Sequence, residues 1–551
     1  MKVAASLLAT LALGPLFADP ETCPHGETRT RTVRMLPGEH WWGAATWWGG
    51  QMPFDARTDA VIDIRTDGYA NQYQSFLVSD RGRYVWCDAQ TTVTIRDGAL
   101  TLVSDGAPIA LVEAGATLRE AFRAASRAHF PPSGQTPDLA FFAAPQYCTW
   151  IELTYGQNER DILAYAQSML DNGLPPGILM IDDTWQAGYG DWRFEPSRFA
   201  DPKGMVEKLH RMGFKVLLWM CPFVGMDTPA YRLLTTGINP KSVVREKMTG
   251  GFLLGDEAEA ENPMDRPAAV RWWNGKSALV DFTHPNGRRW FKGECDRLIA
   301  DYGVDGFKMD GGHLIFYTRG YRAFADVSSG LQAQAYGRVC LDYPICEFRN
   351  AFGLAGQPLV ERLNDKGHTW ADLRKCVTDL LAGGLLGYSF LCPDMIGGGQ
   401  WVAFLPGSAF DAELFVRSCQ MQALCGMMQF SASPWRVLNA EDQRIVRETV
   451  ALRQRFAPRF VELAKACAQT GEPMLRHLEY EFPGHGYATV KDQFLMGDFL
   501  LVAPQLEKGA TSRTVVIPPG TWHADDGTTV VGPTTVSVPT PRARLPHFLR
   551  R

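Results

Sequence analysis

Gly177-Ile178-Leu179-Met180-Ile181-Asp182-Asp183 is the stretch on which the fold turns. Four apolar residues in a row end abruptly in two carboxylates. A run with no polar alternation reads as a strand buried on both faces, the pattern of a parallel sheet. A helix precedes it: Ile162, Tyr165, Ala166, Met169 and Leu170 fall at helical spacing between Asn158 and the stop at Asn172-Gly173. Another helix follows, capped by Asp201-Pro202 and stopped at Gly213, and Phe214 to Met220 then repeats the buried-strand pattern. Further strands are expected at Gly306 to Met309, around Tyr343-Pro344-Ile345, at Pro358-Leu359-Val360, at Gly387 to Leu391 and at Met427 to Phe430, with an extended start over Cys148 to Leu153. Marked by Trp150, Leu179, Leu217, Phe307, Ile345, Val360, Phe390 and Met428, the strands number eight. Eight strands alternating with helices predict an α/β fold, a (β/α)8 TIM barrel. A doubly wound sheet is the alternative, but no G-x-G-x-x-G follows the first strand.

On either side of the barrel, assigned to 137–436, the pattern changes. Residues 19–136 show short alternating segments such as Val61 to Arg65 and Thr92 to Ile95, with turns at Asp67-Gly68 and Asp97-Gly98, and read as a β-sandwich-like N-terminal domain. A helix from Leu118 to His129 leads into the Pro131-Pro132-Ser133-Gly134 linker. Residues 225–280 are long for a βα connection and are expected to form an insertion over the top of the barrel. Residues 437–551 read as a linker helix, Ala440 to Ala466, and a small C-terminal β domain with strands at 499–502, 514–517 and 529–531, divided by Pro518-Pro519-Gly520 and Asp525-Asp526-Gly527.

Composition narrows the function. Of the 551 residues 46% are hydrophobic and 21% charged, which excludes a disordered or fibrous chain. With 55 Lys and Arg against 60 Asp and Glu there is no basic excess to hold phosphates, so nucleic acid is not an expected partner. At the N-terminus Lys2, the apolar run Val3 to Leu13, Pro15 and Ala18 make residues 1–18 a signal peptide, implying export to the periplasm or the exterior; Cys23 lies in no convincing lipobox. The run is too short to span a bilayer, and no membrane span is expected elsewhere. Twelve cysteines, many inside apolar runs, read as free buried thiols; Cys340 with Cys346 and Cys419 with Cys425 are the alternatives for pairing. No zinc motif occurs, and neither a metal nor a cofactor is expected.

Barrel enzymes carry their chemistry at the C-terminal ends of the strands. The residues there are Asp182 and Asp183, Trp219, Lys308 and Asp310, Arg349, Arg362 and Asp365, and Asp394. Carboxylates with a Trp, and no Ser in a G-x-S-x-G turn, suit acetal cleavage: one carboxylate attacks the anomeric carbon and another protonates the leaving oxygen. Carboxylates around Mg²⁺ are the rival. Each residue also has a plainer role: Asp182 and Asp183 as helix caps, Asp394 as a turn residue, Arg362 as an ion-paired side chain, and Lys308 with Asp310 as a buried pair.

Val304-Asp305-Gly306-Phe307-Lys308-Met309-Asp310-Gly311-Gly312 resembles the nucleophile strand of glycoside hydrolase family 31. Arg271-Trp272-Trp273-Asn274-Gly275, Val280 to Pro285, Asn364-Asp365-Lys366-Gly367-His368-Thr369-Trp370 and Pro393 to Gly398 resemble one branch of that family, which has α-galactosidase-like members. Asn71-Gln72 and Ser79 to Gly82 near the start, and Pro518 to Trp522 near the end, extend the likeness over nearly the whole chain.

The resemblance implies a retaining, exo-acting α-glycosidase acting on an oligosaccharide or glycoside, with α-galactoside preferred over α-glucoside and α-xyloside. It makes Asp310 the nucleophile and Asp365 the general acid/base, the latter raised in pKa by its neighbour. It makes Arg349 a substrate-binding residue, Trp273 an aromatic wall, Lys308 a residue of the branch where many α-glucosidases have Trp, and Asp182 or Asp183 a hydroxyl-binding carboxylate. Trp219, Arg362 and Asp394 complete the expected binding set. Two departures stand out: His313 occupies a position that is usually Glu, and the chain stops at Arg551, where many relatives continue into a distal domain. The alternatives are a non-catalytic carbohydrate-binding protein, since fold alone does not fix activity, and a metal-assisted hydrolase.

Overall fold

The computed structural model describes residues 28–65, 71–236, 252–254, 267–317, 321, 323–325 and 327–551. The expected signal peptide, Cys23, the Asp67-Gly68 turn and much of the 225–280 insertion lie outside these residues.

Eight strands form the central sheet. In chain order they are Gln146–Cys148, Ile178–Ile181, Lys215–Met220, Gly306–Met309, Cys346–Phe348, Val360–Arg362, Leu391–Cys392 and Gln429–Phe430. Neighbours in sequence pair in parallel from the first strand to the seventh, and the eighth pairs with the first. The ring closes between seventh and eighth strands through one parallel bridge, Met395 to Gln429, and the Ile396 N–H donates to the Gln429 carbonyl at 2.8 Å. Nearly every strand residue is buried, because helices cover the outside and side chains fill the inside. The TIM barrel expected from the sequence is therefore the fold.

Its strands sit slightly differently from their apolar markers. The first is Gln146–Cys148, and Trp150 lies beyond it in a short helix, Trp150–Leu153. The fifth begins just after the apolar run that announced it, and the sixth to eighth begin two or more residues into theirs. The apolar residues fill the closed end, while the ladder continues into Glu347, Glu361, Arg362 and Gln429, polar residues that read in sequence as the end of a strand.

Two sheets make the N-terminal domain. One is antiparallel, in the order Thr28–Arg34, Ala99–Asp105, Thr91–Arg96, Ala60–Asp63. Its central hairpin turns on Asp97-Gly98, both at positive φ as a tight two-residue loop requires. The other contains Trp41–Ala45, Gln72–Ser79, Arg83–Cys87 and Ile109–Glu113. Its last strand is borrowed: Ala351–Phe352, from the loop after the fifth barrel strand, pairs in parallel with Gln72 and Tyr73. Beside that junction the Gln72 side-chain amide donates to the backbone carbonyls of Arg349 (3.2 Å) and Arg362 (2.8 Å), and Asn71 donates to Arg362 (3.1 Å).

Ala440–Thr470, capped by Asn439, leads to a six-stranded antiparallel C-terminal sheet with its own core around Trp522. Pro518-Pro519-Gly520 does not divide two strands there. Ser512–Ala524 runs through it as one strand, with a bulge between Ile517 and Gly520 that absorbs the prolines' missing donors. The eleven described cysteines are free and buried, so neither candidate pair is bridged. Among the described residues no helix is long and apolar enough to cross a membrane.

Replacing Gln72 removes the side-chain donor to the Arg349 carbonyl and one of the two side-chain donors to the Arg362 carbonyl, at the mouth ends of adjacent barrel strands. Gln72→Ala should cost about 2 kcal/mol of stability, read as a lower urea midpoint. Hydrogen exchange should speed up at residues 346–348 and 360–362 rather than across the barrel.

Candidate active site

Asp310 ends the fourth strand and leads into Gly311-Gly312. Both glycines have positive φ, and a Cβ on either would meet a ring, Phe223 at 2.9 Å or Tyr336 at 2.5 Å. Only glycine fits this turn, which aims the Gly311 N–H at Asp310 Oδ1 (2.9 Å). Trp219, at the end of the third strand, donates its indole N–H to Oδ2 at 3.0 Å. Arg349, just past the fifth strand, places Nη1 3.0 Å from Asp310 Oδ1 and Nη2 3.3 Å from Asp365 Oδ2. One guanidinium fork thus spans both expected catalytic carboxylates. Asp365 is the more open of the two, with 43% of its side chain exposed.

Arg362 lies beneath, fully buried. It reaches Asp365 (2.8 Å), Asp394 (2.8 Å), Glu347 (3.3 Å) and, more distantly, Asp310 (4.0 Å). Asp394 stands at φ +80°, is wholly buried, and also accepts the Lys366 N–H at 2.9 Å. These two residues were expected to bind substrate. In the structure both are buried, and together they hold Asp365 and its loop.

The charges follow from this packing. Burial works to raise the Asp310 pKa, but Arg349, Arg362 and Lys308 outweigh it and hold the carboxyl far below the ordinary carboxylate range. A nucleophile needs this ionised form. Asp365 departs from expectation. Loss of water and the Asp310 charge push it up, as anticipated, yet Arg349 and Arg362 prevail and hold it low. Burial raises Glu347 and Asp394 despite Arg362, as befits four carboxylates sharing two guanidiniums. Burial and Arg349 push the His313 imidazole down to about 3, so this ring is neutral at ordinary pH.

Lys308 does not pair with Asp310. Its ammonium crosses the barrel to Asp182 Oδ2 at 2.6 Å, and the Cys148 thiol donates to the same oxygen at 3.0 Å. Asp182 keeps an oxygen that accepts only the Asp183 N–H (2.9 Å). Asp183 instead faces Tyr189, Asn274 and Gln186, and among the described residues it forms no ion pair. Burial pushes its carboxyl up to about 6. Trp273 lies at the tip of a hairpin, Val270–Trp272 with Gly275–Leu279, that docks on Phe223–Val224 at the barrel mouth. Its ring meets Trp272, Phe223, Phe316 and His313 and is 47% exposed.

Glu347, Cys148, Asn274 and Tyr189 were missed as site residues. Asn274-Gly275 alone carried a signal, as a hairpin turn dipeptide next to Trp273. Among the described residues no three His, Cys, Asp or Glu side chains converge as a metal-holding group.

The raised pKa of Asp183 has a measurable sign. The folded state binds this proton more tightly than the unfolded state, so the contribution is fully present below about pH 4 and is lost as pH rises through about 6, up to about 3 kcal/mol in all. The stability difference between wild type and Asp183→Asn should shift by about that amount between pH 4 and pH 7.5 in urea unfolding. No change would mean that Asp183 is not perturbed.

Residues 140–463 match the TIM-barrel domain of glycosyl hydrolases family 31, and residues 471–551 match the family's C-terminal domain. Myogenesis-regulating glycosidase of Mus musculus is 32% identical over 412 residues, 73% of this chain and 55% of that protein. A 1,3-alpha-isomaltosidase of Kribbella flavida is 27% identical over 367 residues, 60% of this chain and 47% of that protein. The chain therefore spans about half the length of these curated relatives. Among solved structures, a GH31 alpha-xylosidase from a soil metagenome, complexed with xylose, superposes with a TM-score of 0.81 at 20% identity, covering 95% of this chain and 79% of that one. By sequence and by fold, the chain belongs to glycosyl hydrolase family 31.

Proposed function

We propose that the protein is a retaining, exo-acting α-glycosidase in which Asp310 is the nucleophile and Asp365 the general acid/base. The observation that carries this reading is the Arg349 fork, which holds a buried, ionised carboxylate and a more open one at the same barrel mouth. Asp310 attacks the anomeric carbon while Asp365 gives a proton to the leaving oxygen, forming a glycosyl-aspartate; water then attacks with Asp365 as base. The acid role needs a proton that Arg349 and Arg362 disfavour. A substrate that draws Arg349 away from Asp365 removes the first of the charges holding its pKa down. Once Asp310 is esterified its negative charge no longer raises the Asp365 pKa, so Asp365 returns to the ionised form that can take a proton from the attacking water.

Terminal α-galactose is the preferred substrate in this proposal. Support comes from the resemblance to the α-galactosidase-like branch, which has Lys at the Lys308 position, and from the buried Lys308–Asp182 pair, whose groups can hydrogen-bond a hydroxyl. The similarity to an isomaltosidase keeps α-glucoside as the second reading.

Initial rates on p-nitrophenyl α-galactoside, α-glucoside and α-xyloside test both. Preference for the galactoside is expected, and preference for the glucoside would overturn the sugar assignment alone. Asp310→Asn should lower turnover by several orders of magnitude with the fold intact, and azide should rescue Asp310→Gly as a glycosyl azide. Asp365→Ala should slow hydrolysis of a disaccharide by about 10²–10⁴-fold, and far less that of an activated aryl glycoside, whose leaving group needs no proton.

A further inference from the structure

Asp182 and Asp183 are adjacent, yet their surroundings differ in kind. Asp183 Oδ1 accepts the Thr184 N–H (2.7 Å) and the Gln186 amide (3.2 Å); Oδ2 accepts the Tyr189 hydroxyl (3.1 Å) and the Asn274 amide (2.9 Å). Four donors fill the roughly four lone-pair positions of a carboxylate, and the residue is 2% exposed. It has no acceptor left for a sugar hydroxyl, whereas Asp182 does.

The Asn274 end of the contact is equally committed. Its amide donates to Asp183 and to the Tyr189 oxygen (2.6 Å), and its own oxygen accepts the Tyr155 hydroxyl (3.2 Å). Asn274 shares the hairpin tip with Trp273, and the Tyr189 ring packs edge-on against Trp272 at 4.7 Å. Asp183, Tyr189 and Asn274 therefore close one ring of hydrogen bonds between the second strand's end and the hairpin, with Tyr155 as a second link from Thr184 to Asn274.

We propose that Asp183 is a positioning residue that latches the Trp273 hairpin over the barrel mouth, and that Asp182 alone of the pair reads the substrate sugar. Asp183 sets where the exposed indole stands; it acts on binding through Trp273. The kinetic arm of this inference rests on the glycosidase reading, while the latch itself does not.

Hydrogen exchange across residues 270–279 reports on the latch whatever the protein hydrolyses. Asp183→Asn and Asn274→Ala should each raise exchange there about tenfold, the second without touching the barrel strand should the first fail to fold. Combining Asp183→Asn with Asn274→Asp exchanges donor and acceptor across the same gap and should restore protection. Unchanged exchange in both single variants overturns the latch. In kinetics, Asp183→Asn and Trp273→Ala should each raise KM about tenfold without adding in the double variant, and Asp183→Asn should leave the galactoside-to-glucoside ratio alone. Asp182→Asn should change that ratio. A ratio changed equally by Asp183→Asn would make Asp183 a sugar-reading residue and overturn the proposal. A wild type silent on every α-glycoside would sink the glycosidase reading while the exchange result still decides the latch.

Discussion

The buried guanidinium of Arg362 is the constraint from which the mouth of this barrel is built. Glu347, Asp365, Asp394 and, farther off, Asp310 surround it. Four carboxylates brought together without it would repel one another and take up protons instead of staying ionised. Arg349 adds the second positive group, and its two nitrogens set the nucleophile and the acid/base candidate on one rigid plane. The order of the strands makes this possible: the fifth, which runs into Arg349, lies between the sixth, which ends in Arg362, and the fourth, which runs into Asp310.

A second charged cluster sits apart from the first. Lys308, Asp182 and Cys148 join the fourth, second and first strands across the barrel. Its ammonium balances its carboxylate nearly one for one, whereas the arginine cluster is short of positive charge. The two clusters suit different tasks. The balanced one offers fixed donors and acceptors, as the proposed sugar site requires. The unbalanced one leaves carboxylates competing for two guanidiniums, as the proposed acid/base exchange requires.

Much of this was legible in the sequence because it is local. Apolar runs ending in Asp, Arg or Lys mark strands by their lack of alternation, and the polar residue after each run marks the mouth. Asp310, Asp365, Arg349 and Lys308 were found in that way. What the sequence concealed depends on pairing over long distances. Glu347 sits inside a strand and carries no terminal signal. Cys148 looked like one more apolar thiol until Asp182 and Lys308 closed around it. Ala351–Phe352 has no strand pattern of its own and becomes a strand only because Gln72 and Tyr73 offer it an edge. The direction of the Asp365 shift was misjudged for a similar reason: one neighbour was visible from the motif, but the two guanidiniums that outweigh it arrive from other strands.

The borrowed strand has a consequence for how this molecule can be taken apart. The loop between the two arginine-bearing strands leaves the barrel, completes the N-terminal sheet, and returns. Anyone grafting the barrel onto another scaffold would sever that excursion and carry the arginines away without the backbone clamps that hold them in register. The exchangeable unit is therefore larger than the barrel: recombination between relatives keeps the chemistry only where the crossover leaves Asn71, Gln72 and the 349–362 segment from the same parent.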